Sequence, residues 1–174
     1  MAHSRIFKEY LKRRLKEDLR KFNISKIDDE YEVSIFNYSS IFWDFKVDLR
    51  TRNIRIVLEM ETGRQDPVNN LIKTLIWLDE NSPNNPFILL HFFDSTTYSG
   101  AMTFADEICK KLWGFIDRNY KRKLVYSVYL IENLSRVSAS KRKTKKLLPI
   151  CRRISQITKR VVEKAIKKIE EKQK

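Results

Sequence analysis

The sequence predicts an α/β fold, with a central sheet of mixed direction and helices on both of its faces. Three observations carry that prediction. Residues 41–61 alternate apolar and charged side chains with the period of two that a strand requires. Phe87–Asp94 and Leu124–Ile131 are short and almost wholly apolar, as strands buried on both faces are. Helix-period segments precede each of these two strands, which implies crossover connections rather than hairpins.

Residues 4–22 predict the first helix, with Ser4 as its cap and Phe7, Leu11, Leu15, Leu19 and Phe22 along one side. Glu30–Phe36 reads as a strand and residues 37–40 as a loop. The segment IFWDFKVDLRTRNIRIVLEMETGR, 41–64, then makes two strands around Arg50-Thr51-Arg52-Asn53. Asp66-Pro67 supplies an N-cap and a first-turn proline for a second helix running to about Leu78. Asn81–Pro86 is a loop, Phe87–Asp94 a strand, Met102 to about Asn119 a third helix, and Leu124–Ile131 the last strand. Residues 135–146, SRVSASKRKTKK, read as a flexible basic linker. Pro149–Glu171 is a basic amphipathic helix with Ile150, Ile154, Ile157, Val161, Ala165 and Ile169 on one side.

The length of 174 residues suits one domain with a real core. The expected division is an α/β domain over 1–134 and a basic linker and helix over 135–174. Charge is distributed the same way. The net charge is +14; residues 136–174 hold 15 Lys or Arg against 3 acids, and the first 135 residues hold 21 against 19. A basic end on a near-neutral globule points to nucleic acid, with a membrane surface as a poorer fit because no aromatic residue follows Tyr129. Lys141, Arg142, Lys143, Lys145, Lys146, Arg152 and Arg153 are the expected contacts to a phosphate backbone. Cys109 and Cys151 are expected to be free thiols in a reducing compartment. No apolar run is long enough for a membrane span and none resembles a leader. The expected location is intracellular, cytoplasmic or nucleoid-associated.

Against that basic background, Asp44, Asp48, Glu59 and Glu61 cluster in one hairpin. With residues 50–53 as its loop, 49 pairs with 54, 48 with 55, 46 with 57 and 44 with 59. One face then carries Phe45, Val47, Leu49, Ile54, Ile56, Leu58 and Met60, a core face. The other carries Asp44, Lys46, Asp48, Arg55, Val57, Glu59 and Glu61. Asp48 opposite Arg55 is an ion pair, but Asp44 opposite Glu59, with Glu61 beyond, sets like charges together, which is destabilising. Either this face is solvated, or a cation lies between the carboxylates. With only His3 and His91 in the chain and no soft-ligand cluster near them, the donors suit a hard ion such as Mg²⁺, or Mn²⁺, and not zinc. His91 itself reads as a core or sheet-face residue.

Asp44, a hairpin and then Glu59-Met60-Glu61 resemble the active site of the PD-(D/E)XK nuclease superfamily, the restriction-endonuclease-like fold, over roughly residues 4–131. The resemblance implies a helix before a mixed sheet, the active-site Asp on the second strand and the paired motif on the third. It implies that Asp44 and Glu59 are metal ligands, with Glu61 joining them where most members carry lysine. Glu-x-Glu occurs among restriction enzymes. Lys46, on the same face as Asp44, and Lys73, on the second helix, are candidates to replace that lysine. Arg64 and Gln65 are placed to hold phosphate. In some relatives an upstream helix adds a carboxylate, for which Glu9 or Asp18 would serve. The implied activity is Mg²⁺-dependent hydrolysis of DNA phosphodiesters, by a restriction or structure-directed endonuclease acting as a homodimer with the 150–169 apolar stripe as a dimer surface. The alternative is a DNA-binding protein that uses the same fold without catalysis.

Overall fold

The computed structural model describes residues 4–35, 39–62, 68–81, 85–96, 107, 111–112, 114, 124–135 and 144–171. Its elements are α1 (Arg5–Asp18), β1 (Ile24–Ile35), β2 (Ser39–Leu49), β3 (Arg55–Glu61), α2 (Val68–Asn81), β4 (Phe87–Asp94), β5 (Leu124–Ile131) and α3 (Thr144–Glu171). The five strands form one sheet in the order β1-β2-β3-β4-β5. β1, β2 and β3 are antiparallel neighbours, whereas β3, β4 and β5 run parallel. The protein therefore has the mixed sheet flanked by helices that the periodicities predict.

Two cores lie on opposite sides of this sheet. On one side, Phe45, Val47, Leu49, Ile56, Leu58 and Met60 of the hairpin meet α1 and α3. On the other, Trp43, Val57, Phe87 and Leu89 meet Leu71, Leu75, Trp77 and Leu78 of α2. Leu112, one of the few described helical residues between β4 and β5, packs against this second cluster. The rest of the expected 102–119 helix, including Cys109, lies outside the described residues.

Three element boundaries differ by four or more residues from the sequence reading. α1 ends at Asp18, and a single 3-10 turn, Arg20–Phe22, follows it. Asn23 then takes a left-handed backbone (φ 53°) and its carbonyl receives Arg50 N at 2.8 Å, turning the chain into β1. β1 begins at Ile24, six residues before Glu30. The charged run Lys26–Glu30 hides this strand from a hydrophobic pattern, yet its acids are compensated in place. Lys12 bonds Asp29, Lys8 pairs with Asp29 and Glu30, and Lys46 pairs with Asp28. Burial alone would raise the Asp29 carboxyl, but Lys12 and then Lys8 outweigh it and hold it below its ordinary value.

α3 begins at Thr144, five residues ahead of Pro149, so part of the expected flexible linker is helix. Leu147 explains it: the side chain is buried in the α1-side core, which fixes this first stretch, while Pro149 faces solvent. The apolar stripe Ile150, Ile154, Ile157, Val161 and Ala165 is buried in the same core against α1. That corrects the expectation of a dimer surface there, because the chain's own sheet covers it. Cys151, buried within this helix, has its thiol pushed up to about 12 by burial, so it is an inert free thiol.

Candidate active site

The β2–β3 hairpin closes as its sequence dictates. Leu49 N donates to Ile54 O at 2.8 Å, and Asp48–Arg55, Lys46–Val57 and Phe45–Leu58 are cross-strand pairs. Arg52 and Asn53, both left-handed (φ 56° and 53°), turn the chain between them. Arg55 Nε reaches Asp48 Oδ1 at 2.8 Å, the expected ion pair. The ladder stops one pair short of Asp44–Glu59.

At that point the strands reorganise. Phe45 faces α1 and α3, whereas Trp43, two residues earlier, belongs to the α2-side core. Strict alternation would put both on one face, so β2 turns over at Asp44. Its neighbour strand bends in the same place, where Glu30 takes a left-handed backbone (φ 48°). Trp43 is held in its new position by a 3.1 Å bond from Nε1 to Thr74 Oγ1, by an edge contact to Trp77 and by stacking on Tyr31. The turnover frees Asp44 from the ladder, and its carboxylate accepts the Met60 amide at 2.7 Å. A side chain thus replaces a strand at the fork between β2 and β3, bound to the backbone between Glu59 and Glu61.

Glu59 and Glu61 share the α2 face of β3 with Val57. They are only 2 % and 1 % exposed, so this face is not the solvated strand face that was the competing reading. A carboxylate at such depth requires polar compensation. For Glu61 it comes from β4: Oε1 lies 3.2 Å from His91 Nε2, and both side chains are 1 % exposed. His91 Nδ1 lies 3.2 Å from the Tyr126 hydroxyl on β5. Glu59 is level with His91 in the parallel register, and Glu61 is one step further toward the C-terminal end. The three side chains Glu61, His91 and Tyr126 form a diagonal across β3, β4 and β5. Sequence reasoning read His91 as a core or sheet-face residue, which its burial on β4 bears out, but did not foresee this chain. Its only signal was a histidine inside the apolar run FILLHFF.

Asp94 closes the same end of the sheet. It is fully buried, receives Thr96 N at 2.8 Å, and also bonds the Thr96 hydroxyl and Ser135 N. One carboxylate therefore ties the turn after β4 to the turn after β5. Burial opposes its charge, but these donors, Thr96 first, hold the carboxyl below its ordinary value.

The other expected participants lie elsewhere. Lys46 is buried, with Nζ 3.3 Å from both Asp28 Oδ2 and Asp48 Oδ2 and 3.5 Å from the Tyr31 ring centroid. It serves the β1–β2–β3 ion pairs. Lys73 is half-buried on α2 and makes no ion pair among the described residues. Trp77, on the same helix, is 8 % exposed and packed on Trp43 and Phe87. Glu9 and Asp18 are paired with Arg5 and Arg14 on α1, across the sheet from Glu59 and Glu61. Arg64 and Gln65, and Lys141, Arg142 and Lys143, lie outside the described residues. Lys145, Lys146, Arg152 and Arg153 are exposed on α3.

Lys145, Lys146 and Arg153 line a cleft of about 400 Å³ together with Glu132 and Asn133, just past β5. The far end of α3 is tied down at the opposite end of the sheet, by Glu163 to Lys21 and Glu170 to Arg52. Because β3 and β5 run parallel two strands apart, the basic cleft and Glu61 lie at the same sheet end, offset laterally by about 10 Å of strand spacing.

Among the described residues, no group of three or more His, Cys, Asp or Glu side chains comes together as a metal site. Asp44 and Glu59 offer oxygen donors, and Mg²⁺ is commonly held by one or two carboxylates with waters and substrate phosphate. Comparison with family models, with curated proteins and with solved structures gives no match to this chain. No described helix is long and apolar enough to cross a membrane.

Proposed function

We propose that the protein is a Mg²⁺-dependent endodeoxyribonuclease of restriction-endonuclease-like fold. One observation carries the reading: Asp44 leaves the β2–β3 ladder and anchors on Met60 N, between two buried glutamates at the C-terminal end of β3. Acids gathered and buried at such a fork are costly to desolvate, and functional sites are where proteins bear that cost. Asp44 and Glu59 would hold the ion. When bound, it would polarise the phosphodiester and lower the pKa of the attacking water. Asp44 contributes a fixed position, because its Met60 bond leaves it little freedom. Lys145, Lys146 and Arg153 would track the DNA backbone where it crosses the same sheet end, by contacts that carry no sequence information. Cutting both strands calls for a symmetric pair of chains, which must meet through a surface other than the buried stripe of α3.

The absence of a three-ligand group among the described residues favours a second reading, a DNA-binding protein of the same fold without catalysis. Nicking of supercoiled DNA with Mg²⁺ or Mn²⁺ separates the two. The enzyme reading expects cleavage by the native protein and its loss in Glu59→Gln, with DNA binding retained. Full activity in Glu59→Gln, or no metal-dependent cleavage of supercoiled, linear or branched DNA, selects the second reading.

A further inference from the structure

Glu61 sits where the resemblance expects a lysine, and its Oε1 lies within hydrogen-bonding range of an imidazole nitrogen. We infer that Glu61 is the positioning carboxylate of His91 and not a cation ligand, so that the site takes a single divalent cation on Asp44 and Glu59. The inference rests on the metal-dependent reading for its cation, and on geometry alone for the Glu61–His91 pair.

The imidazole has a defined neighbour at each nitrogen, Glu61 Oε1 and the Tyr126 hydroxyl, both at 3.2 Å. A carboxylate accepts and a phenol can donate. The arrangement that gives each ring nitrogen a complementary partner is therefore Nε2–H to Glu61 Oε1 and Tyr126 O–H to Nδ1. Three parallel strands hold it, with Glu59 level with His91, and Leu89, two residues before His91, level with Tyr126. Phe93 packs on the imidazole with ring centroids 4.4 Å apart, which restricts its rotation. A carboxylate so engaged in a dry sheet face gains a charge-assisted bond that a cation ligand at the same oxygen would forfeit. Asp44 differs: it accepts the Met60 backbone amide, and it is half-buried rather than fully enclosed.

Two readouts on the full chain test this. In ¹⁵N-edited spectra, native His91 should show the Nε2–H tautomer, and the isosteric Glu61→Gln and Tyr126→Phe should each perturb its ring resonances. Mn²⁺ titration by calorimetry or electron paramagnetic resonance should give one site. Its affinity should survive Glu61→Gln within about twofold. It should fall in Glu59→Gln and Asp44→Asn by more than the roughly 10–100-fold typical of residues behind a metal ligand. A His91 Nδ1–H tautomer, ring resonances indifferent to Glu61→Gln, a second Mn²⁺ site lost with Glu61, or a tenfold loss of affinity in Glu61→Gln would each overturn the inference. A native protein that binds no Mn²⁺ removes the metal-dependent reading instead, and the His91 resonances still decide the pair.

Discussion

Asp44 illustrates how one side chain does the work of a strand. Its carboxylate receives the amide that β2 would otherwise have engaged, so substitutions there separate structure from chemistry. Asp44→Asn keeps an acceptor for Met60 N and should unfold in urea near the native midpoint. Asp44→Ala leaves that amide without its acceptor and should lose about 1–3 kcal/mol. Both variants should lose metal-dependent cleavage. Asp94 offers a second residue-scale test. Its carboxyl lies below the ordinary value of 3.8 in the folded protein, so the folded state binds fewer protons than the unfolded chain and stability rises with pH through this window. Its contribution is complete above about pH 4 and is lost as pH falls through the folded value. Asp94→Asn should therefore melt lower than the native protein at neutral pH, and the gap should narrow as melts are repeated toward pH 3. A constant gap would assign the acid sensitivity to other groups, among them Asp29, which is lowered as well.

At the scale of elements, α3 decides more than its composition suggests. A charge-rich C-terminal segment invites removal as a tail, yet Ile154 and Val162 are fully buried and Lys21 and Arg52 clamp the helix end. Ile154→Ala should destabilise by about 2–5 kcal/mol in chemical denaturation, a size no detachable tail would show. Ending the chain at Ser135 should accordingly expose the α1-side core and abolish the cooperative transition. The helical period of 150–169 was legible because an amphipathic stripe is a local pattern. What it packs against was not, since a dimer partner and the chain's own sheet demand the same stripe. The start of β1 was illegible for a related reason. Asp28, Asp29 and Glu30 read as loop until Lys8, Lys12 and Lys46, from α1 and β2, are placed beside them.

The whole molecule separates two kinds of charge. The buried Glu59 and Glu61 lie on the α2 side of the sheet, while the basic helix covers the other side and brings Lys145, Lys146 and Arg153 to the C-terminal strand ends. Replacing these three residues with alanine should weaken DNA binding evenly across sequences and lower the salt slope by about 2–3, at roughly 0.9 per phosphate contact. Their exposure on α3 means that stability should hardly change. Fluorescence anisotropy across a salt series measures the slope. An unaltered slope would move the DNA path away from this cleft.

By itself the sequence determined the strands and their core faces, the Asp48–Arg55 pair, the loop at 50–53 and the segregation of charge toward one end. Each follows from periods of 2 and 3.6 or from counting, which neighbouring residues settle among themselves. Only the tertiary structure decided the turnover at Asp44, the burial of Glu59 and Glu61, and the meeting of Glu61 with His91. That last pair joins residues 30 apart on parallel strands. The parallel register that sets Glu59 level with His91 is a long-range pairing, on a face where Val57 and Leu89 cluster with Leu71, Leu75 and Leu78 of α2. A lone histidine in an apolar run becomes a partner for a buried carboxylate because strand pairing brings the two within reach, and the cost of an uncompensated charge in that dry face favours their meeting.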